Sequence, residues 1–280
     1  MLAALLLLLS LLILALFSLP DRNIHVVVCD VGQGDAILVT YGTIQMLVDG
    51  GPDKRVLDCL GRHMPFWDRR VEVLVNTHPQ LDHFGGFIDV LKRYRVDILA
   101  RPEVDGQGAE WGKFMGEIRE MGVTEKKIAT GDTIRYSNLH FNILNPQVGY
   151  VGTDLNEYSV VGNLSFGSFD VLLTGDIIPP VIDGIGGIRP VEVLKVPHHG
   201  SKNGLTKTFL EKSSPKLAVV SVGKKNSYGH PHKELLEMLR VMGEIRGMMV
   251  MRTDLDGEIE MVSDGKSWWV KRGKSGLLGK

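Results

Sequence analysis

Short runs of apolar, often β-branched residues recur along the chain from residue 24, and polar residues collect where those runs stop. IHVVVCDV, AILVTYG and TIQMLVDGG read as three strands joined by the glycine-rich VGQGD and a second short turn. That spacing predicts an antiparallel meander rather than a βαβ unit. Helical spacing follows over residues 53–64 until Pro65 breaks it. VEVLVNT then reads as a buried strand, FIDVLKRY as an amphipathic helix and RVDILA as a short strand. A helix over residues 109–121 carries Trp111, Phe114, Ile118 and Met121 on one face. Residues 125–145 return to strands, and YSVVGNLSFGSFDVLLTGDI predicts a hairpin turning at FGSF. VEVLKVPHHGS and KLAVVSVGKKNSYGHPH each begin as a buried strand. RTDLDGEIEMV predicts a last hairpin with Asp256 and Gly257 in its turn; DLDGE lacks the remaining ligands of an EF-hand loop.

The first nineteen residues, MLAALLLLLSLLILALFSL, follow a different pattern, with no charged side chain and about the length that crosses a bilayer as a helix. No Lys or Arg precedes the run and no small-x-small cleavage site follows it, which favours a retained anchor over a cleaved signal peptide. The expected organisation is a transmembrane anchor over residues 1–20 and one soluble domain over 21–280, placed outside the cytoplasm. With 280 residues and 44% apolar content, the chain can build one large core or two modest ones. A formal net charge of −1 excludes a global field that would draw in nucleic acid, so any such contact needs a local patch. Cys29 sits in an apolar strand and Cys59 in a helix, and both are expected as buried free thiols that leave the redox compartment undecided.

The chemistry concentrates in Thr77–Gly86, THPQLDHFGG, between a strand and a helix. Two imidazoles and a carboxylate within six residues suit a divalent metal held by nitrogen and oxygen. Other strands end in the same residue types: LLTGD at Asp176, LKVPHHGS at His198 and His199, and SVGKKNSYGHP at His230. Five of the nine histidines lie at such ends and none of the five inside an apolar run, which points to one clustered metal site. Asp35 and Asp49 also fall at strand ends, with Asp49 placed to orient a ligand histidine from behind. Asp30 reads as a turn residue, and His25, His63 and His140 as structural histidines.

The ordered motifs DVGQGD, HxxxDHxGG, LLTGD, LKVPHHGS and SVGKKNSYGHP resemble those of the metallo-β-lactamase fold hydrolases, and most of all the C-terminal domain of ComEC-type competence proteins, over residues 24–271. The resemblance implies an α/β fold, an αββα sandwich with metals at one edge between the sheets. It implies His78 and His198 on a first metal, Asp82, His83 and His230 on a second, and Asp176 between them. Which of His198 and His199 faces the metal is open, and His199 is placed near substrate, able to protonate a leaving oxygen. Asp82, Asp176 and His199 are therefore the candidate catalytic residues. Asn156, Ser159, Asn226 and Tyr228 match polar positions on the substrate side. The wider superfamily has HxHxDH where this chain has Gln80, which costs the first metal an imidazole. One or two divalent ions, manganese or zinc, are expected, with a labile first site that accepts manganese.

The implied reaction is attack of a metal-activated water on a phosphodiester. DNA is the implied substrate, with Lys202, Lys207, Lys212, Lys216, Lys224 and Lys225 able to track a phosphate backbone. The expected protein is a membrane-anchored nuclease of the competence type, working beside a separate DNA-uptake channel subunit. The alternatives are a phosphodiesterase on another substrate, such as choline phosphate on a cell-wall polymer, and a non-catalytic module that binds DNA or a channel protein.

Overall fold

The structure, a computed structural model, describes residues 20–272. The apolar segment on which the anchor is expected, residues 1–19, lies outside the described residues. Among the described residues no helix is long and apolar enough to cross a membrane.

The expected meander forms from β1 (Ile24–Val28), β2 (Ile37–Tyr41) and β3 (Ile44–Val48), with Ile37 opposite both Val28 and Val48. β4 (Arg70–Val75), β5 (Arg95–Arg101) and β6 (Thr124–Lys127) continue the sheet in parallel. The crossovers are α1 (Val56–His63), then α2 (Leu81–Phe84) with α3 (Phe87–Leu91), then α4 (Gly108–Glu120). β14 (Ile259–Ser263) and β15 (Trp268–Arg272) complete an eight-stranded sheet of order β15-β14-β1-β2-β3-β4-β5-β6. A seven-stranded sheet begins with antiparallel β7 (Thr133–Tyr136), β8 (Leu139–Asn145), β9 (Val161–Phe166) and β10 (Phe169–Leu173). It ends with parallel β11 (Val193–Lys195), β12 (Leu217–Val220) and β13 (Met249–Arg252), linked through α5 (Val181–Gly184), α6 (Lys207–Ser213) and α7 (Lys233–Arg246).

Period-two alternation builds the layers. Val26, Val28, Ile37 and Val39 meet Phe141, Leu164, Phe169 and Val171 in a core between the sheets. The opposite faces of the same strands turn Val27, Leu38 and Leu47 outward onto Leu60, Phe87 and Phe114 of the helices. On the second sheet Leu172, Leu194, Ala218 and Val220 pack on Phe209, Leu210, Leu235 and Leu239. The result is the αββα sandwich.

Three expectations change. Cys29 and Cys59 form a disulfide with Cα atoms 5.9 Å apart, not two free thiols. The alternation that turns Val27 outward turns Cys29 the same way, onto the inner face of α1, where Cys59 lies beside Val56 and Leu60. RTDLDGEIEMV is not a hairpin, because β13 and β14 belong to different sheets. The chain crosses between them through α8 (Thr253–Asp256) and Gly257 at φ 72°. The buried Thr253 hydroxyl pins that crossing by donating to the Val222 carbonyl (2.9 Å) and accepting from the Val222 N–H (2.8 Å). Met121 follows the last residue of α4 and is 50% exposed, so the buried face of that helix is Trp111, Phe114, Met115 and Ile118.

Candidate metal centre

Because β3 and β4 run parallel in one sheet and β10, β11 and β12 run parallel in the other, their carboxyl ends deliver the polar motifs to one edge of the sandwich. Three non-glycine residues there take left-handed backbone conformations: Asp49 (φ 58°), His198 (φ 53°) and His199 (φ 51°). Each such residue costs about 1–2 kcal/mol, so packing around the site must hold them. Close backbone approach is the other local device. A Cβ on Gly86 would stand 2.0 Å from the Gly50 carbonyl oxygen, and one on Gly34 2.2 Å from that of Asp82. Glycine at these two positions lets the THPQLDHFGG loop dock against the segments after β1 and β3. Asp82 and His83 lie within the short helix α2, itself part of that loop.

Asp82, His83, Asp176 and His199 converge, each offering one ligand atom within 4.8 Å of the others. His199 Nε2 lies 3.2 Å from Asp176 Oδ2 and 3.4 Å from Asp82 Oδ2. His83 Nε2 lies 3.4 Å from Asp176 Oδ2. The other ring nitrogens are held from behind. Asp49 Oδ2 is 2.7 Å from His83 Nδ1, and the Ser221 carbonyl oxygen is 3.0 Å from His199 Nδ1. Asp49 is fixed in turn by the Thr77 N–H and hydroxyl, each donating at 2.7 Å. His83 Nε2, His199 Nε2 and Asp176 Oδ1 are buried without a hydrogen-bond partner. Two imidazoles oriented by outer partners, two carboxylates and orphaned buried polar atoms fit a divalent cation.

The remaining predicted residues surround this cluster. His78 packs against His83 with ring centroids 4.1 Å apart and planes tilted by 53°, and its nitrogens face Gln80 Oε1 (3.1 Å) and Thr77 Oγ1 (3.0 Å). His198 is on the open side, 24% exposed, with Nε2 3.9 Å from Asp176 Oδ2. His230 lies one ring farther out, its centroid 5.8 Å from that of His198. Ser159 accepts the Asp176 N–H at 3.1 Å, and Asn156 is buried with its Oδ1 unpartnered. Asn226 braces the His230 loop, donating to the His230 carbonyl (2.7 Å) and accepting the His230 N–H (2.9 Å). Tyr228 is 64% exposed and stacks on His230.

The charges of these groups are strongly coupled. Burial opposes a charged imidazole, yet the carboxylates, Asp176 foremost, hold His83 and His199 well above the usual histidine range. Burial would raise Asp176, but His199 and His83 drive it well below the carboxylate range. Asp82 follows suit at about 2, burial being outweighed by His83 and His199. His78 falls to about 3 through burial and then the charge of His83, and His230 to about 4 through burial and then His199 and His198.

Sequence reading missed Lys195. Its side chain is 1% exposed and its ammonium contacts Asp35, lies 3.6 Å from Asp176 Oδ1 and donates to the Gly175 carbonyl at 2.9 Å. Asp35 in turn sits 3.4 Å from His199 Nδ1. The signal was present: a lysine interrupting the apolar strand VEVLKVP is almost never buried without a partner.

Comparison with known proteins agrees with this architecture. The family model described as the metallo-beta-lactamase superfamily matches residues 29–224. ComE operon protein 3 of Bacillus subtilis (strain 168) is 29% identical over 252 residues, 82% of this chain and 32% of that protein. Competence protein ComA of Neisseria gonorrhoeae is 29% identical over 251 residues, 87% of this chain and 33% of that protein. The chain thus spans about a third of the length of these relatives. The crystal structure of the metallo-beta-lactamase fold protein YhfI from Bacillus subtilis shares the fold with a TM-score of 0.56 at 11% identity, covering 83% of this chain and 97% of that one.

Proposed function

Because the chain belongs to the metallo-β-lactamase superfamily, we propose that it is a metal-dependent phosphodiesterase that cuts DNA in the competence process for which its relative ComA is named. The observation that carries this reading is the convergence of the half-buried Asp82 with the buried His83, Asp176 and His199. A divalent ion held by these four would polarise a phosphate oxygen and lower the pKa of a water. Asp49 and the Ser221 carbonyl aim the two imidazoles, so their ligand nitrogens need no reorganisation. His198 and His230, whose imidazoles are held neutral at neutral pH chiefly by burial, line the open side. Each can there donate one N–H to a phosphate or leaving oxygen.

Lys224 and Lys225 support the DNA assignment. They are exposed and, with Asp30, Gln33, Asn226 and an Arg55 paired to Asp53 at 2.9 Å, line a groove of about 570 Å³ beside the His230 loop. The Cys29–Cys59 disulfide supports a domain outside the cytoplasm, where such bonds persist. Residues 1–19 would anchor it in the membrane, beside a separate uptake channel.

The test is cleavage of end-labelled single-stranded and duplex DNA by the full chain with manganese, beside Asp82→Ala and Asp176→Ala. Cleavage by the parent is expected, with each variant losing more than the roughly 10- to 100-fold typical of an outer partner. No cleavage, with DNA bound equally by all three proteins, would leave a binding module instead.

A further inference from the structure

The most unusual charge in the site is Lys195, a fully buried lysine in contact with one carboxylate and facing a second. We propose that Lys195 is a built-in counter-cation that stands in for a second metal, so that the centre retains one divalent ion per chain rather than a pair. This rests on the metal-centre reading above, though not on DNA being the substrate.

The two oxygens of Asp176 are divided between different cationic partners. Oδ2 lies 3.2 Å from His199 Nε2 and 3.4 Å from His83 Nε2, inside the ligand cluster. The ammonium of Lys195 is 3.6 Å from Oδ1. A carboxylate can bridge two ions through one oxygen or with one oxygen for each; the first mode would crowd both ions onto Oδ2, already within 3.4 Å of His83 Nε2 and His199 Nε2, and the second needs Oδ1. An ion on Oδ1 would lie a few ångströms from a buried ammonium, where low dielectric strengthens like-charge repulsion. Lys195 cannot swing away easily, because Asp35 and the Gly175 carbonyl hold it from other directions.

The other side of Asp176 offers little to a second ion. His78 has both ring nitrogens within 3.1 Å of the Gln80 and Thr77 side-chain oxygens. Among the described residues no group of three His, Cys, Asp or Glu converges around His78. Gln80 therefore removes a ligand from the position beside His78, and Lys195 repels an ion from the carboxylate that would share it.

The experiment loads the full chain with manganese, removes loose metal by dialysis, and measures bound ion per chain and its electron paramagnetic resonance. The parent is expected to hold one ion with the spectrum of isolated manganese. Lys195→Met, of similar length without the charge, is expected to bind a second ion at least about tenfold more tightly than the parent does and to show a coupled pair. Lys195→Arg keeps the charge and is expected to stay at one ion, with circular dichroism confirming the fold of each variant. Two ions of similar affinity in the parent or in Lys195→Arg overturn the proposal, as does a folded Lys195→Met whose second ion is no tighter. If Lys195→Met does not fold, the parent and Lys195→Arg decide the matter. A parent that binds no ion removes the metal-centre reading as well, whereas one bound ion without DNA cleavage sinks only the nuclease reading.

Discussion

Asp49 shows how much of this site depends on a residue that need not touch the metal. Its left-handed backbone (φ 58°) turns a fully buried carboxylate toward the Thr77 N–H, the Thr77 hydroxyl and His83 Nδ1, all at 2.7 Å. Asp49→Asn keeps the size but replaces an acceptor with a donor on one arm, so His83 loses its fixed tautomer. Manganese affinity is expected to fall about 10- to 100-fold, measured by competition with a chelating dye. An unchanged affinity would mean that Asp49 only supports the loop. The imidazoles also set a pH dependence with a definite sign. His83 and His199 are raised well above the usual histidine range by the surrounding carboxylates against the opposing effect of burial, so each carries a proton near neutral pH. A metal must displace those protons, so its affinity should rise with pH and weaken as pH falls. Calorimetry in buffers of different ionisation enthalpy should register proton release; a pH-independent affinity would refute it. At this scale the sequence was only partly legible. The His198–His199 pair could not be ordered from the motif, because His199 is turned inward by the Ser221 carbonyl, which a local pattern does not reveal.

Among whole elements, the strand and helix periods were legible because most strands bury one or both faces and α4 keeps a clear apolar stripe. Partnership between elements was not. A two-residue period shows that RTDLDGEIEMV contains strands, but not that β13 and β14 join different sheets. The same gap hid the disulfide, since Cys29 and Cys59 each read correctly as buried while their meeting depends on α1 lying back across β1. That bond closes a sequence separation of 30 and ties the first crossover helix to the strand preceding VGQGD. By loop-closure entropy it should stabilise the fold by about 3.5 kcal/mol. For a chain of this size, reductant should then lower the melting temperature by about 7 °C. Identical melting with and without reductant, once thiol counting shows the bond reduced, would show that α1 is held by packing alone.

For the molecule as a whole, a net charge of −1 means that long-range attraction cannot bring DNA to the site. Under the proposed nuclease reading, binding would rest on a few local cations, and the lysines are not equivalent in this respect. Lys207 is 3.8 Å from Glu211 and Lys216 is 3.2 Å from Glu192, so each gives up an acidic partner before it meets a phosphate. Lys224 and Lys225 line the groove next to Asn226, which braces His230, and they share that groove with Arg55 and the carboxylate of Asp30. Each phosphate contact on single-stranded DNA contributes about 0.7 to the slope of log affinity against log salt. Changing Lys224 and Lys225 to Ala should lower that slope by about 1.4 and weaken binding to a similar degree for unrelated sequences. Changing Lys207 and Lys216 to Ala should leave the slope nearly unchanged. Fluorescence anisotropy with labelled oligonucleotides across a salt series separates the two pairs. Equal slopes for both double variants would place the DNA path on another face and leave the groove beside His230 without a part in binding.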